Sequence, residues 1–371
     1  FSAGMGVGLM FWGVAEPLRL LSNPAVGAGN SVEAARWAMI YSAFHWGFHG
    51  WGIYTLCAVG VAYYGFRKRK KYLLSSSILD AVDNSTARKV LKIGSDLCAT
   101  LAVIFGVAVS LGMGVQQIAG GLMHVWEYDA KTSQGYITLF VIITALYMLS
   151  ATTGLDKGIK WLSNINMLAA IALMFFVFIC GPTLFQLKLF VDTIGQYLNE
   201  LFSLSFKIAP FTPMYEEWMG EWTLLFFTWW IAWGPFVGIF IARISKGRTI
   251  RQVVTGALIA PTIFSILWFS VFGGAALHIE VFNETKTTME ARRHASSDAP
   301  SAASQLGDDA PSAASQLGQD SPAAATKLGA DSLAAVSQPE KLKESGVGKA
   351  GLAELAKKDK TVAFYSLLEK Y

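Results

Sequence analysis

Apolar runs of roughly twenty residues, each nearly free of charge, recur along the chain and are separated by short polar joints, which is the length a helix needs to cross a bilayer core. The pattern predicts spans over 1–21, 38–66, 96–123, 136–153, 162–184, 222–251 and 253–277. An amphipathic stretch over 185–206 reads as a helix lying along the surface or continuing the fifth span outwards. Charge falls at the ends of the runs. Arg67, Lys68, Arg69, Lys70 and Lys71 close the second span, and Arg243, Lys246, Arg248 and Arg251 close the sixth. Alternating spans put 67–92, 154–161 and 243–251 on one side, which the basic clusters mark as cytoplasmic, while 22–37, 125–135 and 185–221 are sparser in Lys and Arg. Residue 278 onwards is then expected outside.

Composition agrees with the pattern. Of 371 residues 53% are hydrophobic and 15% charged, against about 25% charged in soluble domains. The chain reads as an all-α, multi-pass membrane protein. A net charge of +4 belongs to loop topology and does not imply nucleic acid. Cys57, Cys98 and Cys180 all fall inside apolar runs, so no disulfide framework is predicted. The chain opens on Phe1 within an apolar segment and ends at Tyr371 as another begins, and is expected to be a fragment of a longer protein. Between them the character changes: an eleven-residue unit starts at Asp298, Asp309, Asp320 and, degraded, Asp331. Without an apolar face it cannot bury a core, and it reads as a low-complexity loop expansion. The predicted organisation is a transmembrane core over 1–277, an extracytoplasmic insertion over 278–360, and a returning core segment over 361–371.

Candidate chemistry sits in the apolar runs. Trp229, Trp230 and Trp233 lie in mid-span rather than at the headgroup level where interfacial Trp collects. At 100° per residue Trp229 and Trp233 share a face and Trp230 turns away. Trp46, Trp51 and Tyr54 add rings in the second span. Aromatic faces around a cavity suit a quaternary ammonium group; packing of the bundle is the plainer use of the same residues. Gly4, Gly6 and Gly8 alternate in the first span, where an unwound helix could offer carbonyls to an ion or substrate, or small residues could let helices approach. His45 and His49 have the spacing of a helical metal site, but a hydrogen-bonded structural pair is the stronger reading, since the chain holds five His in all.

The stretches GMGVGLMFWGVAEPL, HWGFHGWGIY, FGVAVSLGMG, TTGLDKGIKWLSNINM, GPTLFQLKLFV, WWIAWGPFVGIFIARISKGRTIR and WFSVFGG, in this order, resemble the betaine/choline/carnitine transporter family over residues 1–277 and weakly over 361–371. The resemblance implies the leucine-transporter fold of two inverted repeats, here the first repeat over 1–184 and the start of the second over 222–277. It implies that Trp46, Trp51, Tyr54 and Trp230 cage a trimethylammonium or dimethylsulfonium head, with Trp229 and Trp233 beside it. Gly4, Met5, Gly6 and Gly8 are then expected to contact substrate, and the carbonyls of Ser2 and Met5 to belong to the main sodium site. Phe236 matches a second sodium site, but the hydroxyl positions that accompany it read Val103 and Val107, which argues against sodium there. Gly50 stands where many relatives have proline.

The implied function is sodium-coupled transport of an onium osmolyte (glycine betaine, choline, carnitine or dimethylsulfoniopropionate) across the cell membrane by alternating access, by a homotrimer with no cofactor beyond the coupling ion. Sodium-independent exchange and proton coupling of the same substrates stay open, as does a non-transporting osmolyte sensor. An enzyme is not expected.

Overall fold

The computed structural model describes residues 2–25, 27–68, 74–152, 160–297, 364 and 366–368; the eleven-residue repeats and nearly all of the joint at 154–161 lie outside them. Contacts divide the chain into Phe1–Asn283 with Gly351–Tyr371, and Glu284–Ala350. Every described element is helical, as the uninterrupted apolar runs require of backbone that has no water to bond.

In order these are α1 (Ser2–Ser22), α2 (Val32–Trp46), α3 (Phe48–Ala62), α4 (Ser85–Trp126), α5 (Ser133–Thr152), α6 (Lys160–Cys180), α7 (Thr183–Ser205), α8 (Pro213–Met219), α9 (Leu225–Ile244), α10 (Ile250–Val254) and α11 (Ala260–Ser297). Among the described residues four stretches are long and apolar enough to cross a bilayer, Ser85–Trp126, Ser163–Cys180, Pro213–Ile244 and Ile250–Phe282. The first of them carries the predicted third span inside a longer helix, started by Asn84, whose side chain accepts from the Thr86 and Ala87 amides.

Three local readings change in the structure. The run Gly4–Gly8 was open to unwinding or to close helix packing, and α1 is helical from Ser2. At Gly8 the missing side chain serves close approach instead: a Cβ there would stand 2.7 Å from Trp229 and 3.0 Å from Trp46. The second predicted span is not one helix, because Gly47 takes φ −101° and ψ −136° between α2 and α3. The seventh does not stop at residue 277. It continues as α11, with Gly273 lodged against Pro17 of α1 and Gly274 against Leu189 of α7.

The packing follows from these close approaches. α3 lies along α9, α1 against α2, α2 against α7, and α4 against α9. α7 buries Gln186, Thr193, Tyr197 and Leu204 while leaving Leu187, Val191, Leu198 and Phe202 exposed. Phe364 and Leu367, one helical face apart by three residues, are buried in the same unit, Phe364 with its ring 5.9 Å from Phe272. Tyr197 secures the break at Gly47: its hydroxyl accepts from the Phe48 amide at 2.9 Å, replacing a bond that the broken helix cannot supply. Burial raises the Tyr197 hydroxyl well above the usual tyrosine range, so it stays neutral. Tyr197→Phe is expected to cost about 1 kcal/mol and to lower the melting temperature of the purified protein by about 3 °C; an unchanged melting curve would show that the break holds without this bond.

Candidate functional site

The aromatic residues separated by almost 180 positions in the chain meet where α2, the break, α3 and α9 come together. Trp46 is the last residue of α2, Trp51 and Tyr54 share a face of α3, and Trp230 enters from the second turn of α9. All four are buried. Trp230 is the hub: its ring centroid lies 4.7 Å from Tyr54, 5.4 Å from Trp51 and 5.9 Å from Trp46, with the planes crossed at 55–72°. Trp51 and Tyr54 stand edge to face at 5.8 Å. Gly50 makes room for this, because a Cβ there would fall 2.6 Å from Trp230 Cζ2 and 2.7 Å from Cδ2.

Each indole is pinned by its one polar atom, as burial demands. Trp230 Nε1 donates to the His45 carbonyl at 2.9 Å, Trp46 Nε1 donates to Glu16 Oε2 at 2.6 Å, and Trp51 Nε1 donates to Ser265 Oγ at 3.4 Å. The helical wheel for α9 holds. Trp230 faces α3, whereas Trp229 and Trp233 take the other side and are half-buried. Trp229 stands edge to face with Trp46 at 5.7 Å, and its Nε1 is buried with no partner among the described residues. Trp233 packs on Phe236 at 5.7 Å and lies against Gly106 of α4. Trp229 therefore joins the cluster through Trp46, and Trp233 stands apart from it.

As it stands the cluster is contracted. A cation held between two ring faces needs each centroid within about 6 Å, so opposed rings would lie much farther apart than Tyr54 and Trp230 do. Beside it a cavity of about 630 Å³ starts at Trp51 and follows the second half of α9, lined by Phe236, Phe240 and Phe264, as far as Arg248 and Gln252. Phe236 thus looks into an apolar space, and Val103 and Val107 on α4 carry no side-chain oxygen.

Ser2 and Met5 lie on the first turns of α1 with helical backbone. The histidines at 45 and 49 are both hydrogen-bonded into the structure, as the structural reading expected, though not to each other. Both rings pack against Phe44 and Phe227, and each bonds to another segment: His45 Nδ1 lies 2.7 Å from Glu16 Oε1 and Nε2 3.0 Å from Thr223 Oγ1, while His49 Nε2 lies 2.9 Å from Ser205 Oγ. Glu16 is the residue that sequence reasoning passed over. It falls inside the first predicted span, 1–21, and its carboxyl is fully buried; an acid inside an apolar run was the available signal.

Known proteins resemble the chain throughout this region. It is 42% identical over 304 residues to the glycine betaine transporter OpuD of Bacillus subtilis, covering 80% of this chain and 59% of that protein. It is 43% identical over 291 residues to an ectoine/hydroxyectoine transporter of Virgibacillus pantothenticus, covering 77% and 56%. A glycine betaine transporter of Acinetobacter baylyi is 37% identical over 299 residues, covering 81% and 45%. The chain therefore spans about half the length of these relatives. They are transporters, not enzymes, and the apolar helices make this an integral, multi-pass membrane protein. The pattern of the betaine/carnitine/choline family transporters matches residues 1–314, and the chain belongs to that family.

Proposed function

We propose that the protein containing this chain is a secondary transporter of quaternary ammonium or sulfonium osmolytes, coupled to sodium, with Trp46, Trp51, Tyr54 and Trp230 as the cage for the onium head. The observation that carries the reading is the meeting of these four rings in one buried cluster built from helices on both sides of the molecule's predicted repeat boundary. A permanent cation in the bilayer interior is costly to hold with carboxylates. Ring faces attract it by about 0.5–2 kcal/mol each and carry no charge of their own. The contracted cluster is the closed form; parting of α3 and α9 opens it, and the apolar cavity from Trp51 to Arg248 is the path to the basic, cytoplasmic end. Trp229, beside Trp46, and Trp233 line the approach.

The α1 run holding Gly4, Met5, Gly6 and Gly8 forms the facing wall, and the Ser2 and Met5 carbonyls take part in a sodium site once that turn of α1 loosens. A second sodium beside Phe236 is not part of the proposal, because Val103 and Val107 cannot bind it. A relative named for ectoine and hydroxyectoine favours keeping delocalised ring cations among the substrates. The homotrimer implied by the family resemblance remains an expectation.

The test is uptake of labelled glycine betaine by cells producing the full-length protein, in sodium or potassium medium. Saturable uptake in sodium alone is the expected result. Uptake equal in both media would hand the cage to exchange or proton coupling, and no uptake of glycine betaine, choline or ectoine by inserted protein would overturn the transport reading. With one ion site, the dependence of rate on sodium is expected to be hyperbolic; a sigmoidal curve in the same assay would restore a second site.

A further inference from the structure

We infer that Glu16 is the positioning residue of the aromatic cluster, acting through Trp46, and that with His45 and Thr223 it ties the cluster's two halves together. The inference rests on the cage reading above. Glu16 has no solvent exposure, and neither has His45. A carboxyl in that setting must be fully hydrogen-bonded to be tolerated. Both oxygens are used, and by consecutive residues of α2: Oε1 faces His45 Nδ1 at 2.7 Å, and Oε2 accepts from Trp46 Nε1 at 2.6 Å.

That second bond sets the indole plane. Trp46 has one polar atom, and a short bond to a carboxyl oxygen fixes both the depth and the tilt of the ring. The ring then meets Phe226 at 5.4 Å, Trp229 at 5.7 Å, Phe269 at 5.7 Å and Trp230 at 5.9 Å, so its orientation is passed to every neighbour. His45 carries the link across the molecule. Its Nε2 pairs with Thr223, which sits on the π-helical turn Gly220–Leu224 that leads into α9. Its carbonyl takes the Trp230 N–H. Glu16 therefore reaches Trp46 directly and, through one histidine, both the root of α9 and the ring at the hub. Wide turns of this kind inside helices often mark functional positions, and here the turn turns Thr223 towards the buried pair.

A structural tie alone would lower stability when broken and leave recognition unchanged in the protein that still folds. A positioning role predicts a selective effect. Glu16→Gln keeps an oxygen to accept from Trp46 and an amide to face His45; Glu16→Ala keeps neither. In proteoliposomes of the full-length protein, Glu16→Ala is expected to raise the KM for glycine betaine about tenfold with little change in turnover. Glu16→Gln is expected to stay within about threefold of the starting protein, and Glu16→Ala is expected to add little in a Trp46→Phe background. An unchanged KM in Glu16→Ala, equal damage from Gln and Ala, or full additivity with Trp46→Phe would each overturn the inference. A Raman marker of indole N–H hydrogen bonding, taken as the difference from Trp46→Phe, reads the bond without transport. Its weakening in Glu16→Ala supports the inference, and its persistence overturns it. If the unaltered protein moves no glycine betaine, it is the cage reading that fails, and the Raman arm still decides whether Glu16 holds Trp46. Should Glu16→Ala not reach the membrane, Glu16→Gln and Trp46→Phe carry the comparison through the same marker.

Discussion

Trp230→Leu is expected to abolish saturable glycine betaine uptake at substrate concentrations where the unaltered protein is half-saturated. Trp230 is the one ring in contact with all three of the other cluster members. Leucine removes its π-face and leaves the rings around it without a hub. A loss of about 2 kcal/mol in attraction for the cation corresponds to an affinity lower by roughly thirtyfold. The His45 carbonyl also loses the Trp230 N–H, so the tie between α2 and α9 weakens at the same point. Trp233→Leu is the comparison that gives the result meaning. Trp233 lies on the other face of α9, against Phe236 and Gly106, and its replacement is expected to change KM by about threefold or less. The readout is initial uptake rate against glycine betaine concentration, normalised to protein in the membrane. Equal losses in the two variants would mean that the tryptophans pack the bundle and do not discriminate a ligand.

Gly238→Val is expected to damage the protein rather than its selectivity. Gly238 is two turns along α9 from Trp230 and lies against the backbone of α3. A Cβ added there would stand 2.6 Å from Cys57 Cβ and 3.2 Å from the Ala58 amide nitrogen. The second contact is backbone, which cannot swing aside. Valine adds two further carbons to a space that does not hold one. Forcing the helices apart costs about 3 kcal/mol or more, corresponding to a melting temperature lower by about 5 °C or more. Thermal unfolding of the purified full-length protein checks this effect. A variant as stable as the original would show that α3 and α9 do not depend on this approach. Gly234 gives the contrast within one helix: the nearest atoms to an added Cβ are side-chain atoms of Ile53 and Cys57 at 3.4 and 3.5 Å, so Gly234→Ala is expected to be tolerated.

Much of the site could be read along the chain. The wheel of α9 separated Trp230 from Trp229 and Trp233, and the structure keeps that separation, because a helix imposes its 100° step wherever it packs. Trp51 and Tyr54, three residues apart, share a face for the same reason. The glycines were less legible. Gly8, Gly47 and Gly273 look alike as letters, yet one admits two indoles, one breaks a helix, and one lets α11 run past a proline of α1. Nothing in a local pattern tells a glycine needed for its backbone angles from one needed for its missing side chain. For His45 and His49 the structural reading held, but their partners Glu16, Thr223 and Ser205 lie on other segments, and no spacing could name them.

The sequence by itself determined that this is a helical, membrane-embedded protein and which rings lie at depth. Hydrocarbon about 30 Å thick admits apolar runs of one length and leaves their backbone no partner but itself, so the code is one-dimensional. Only the tertiary structure decided that Glu16 reaches Trp46 and His45 across 30 and 29 positions, that Trp51 reaches Ser265 across 214, and that Trp230 is the hub. Those contacts depend on where helix backbones approach one another, and that is settled by side chains packing from several helices at once, not by the period of any one of them.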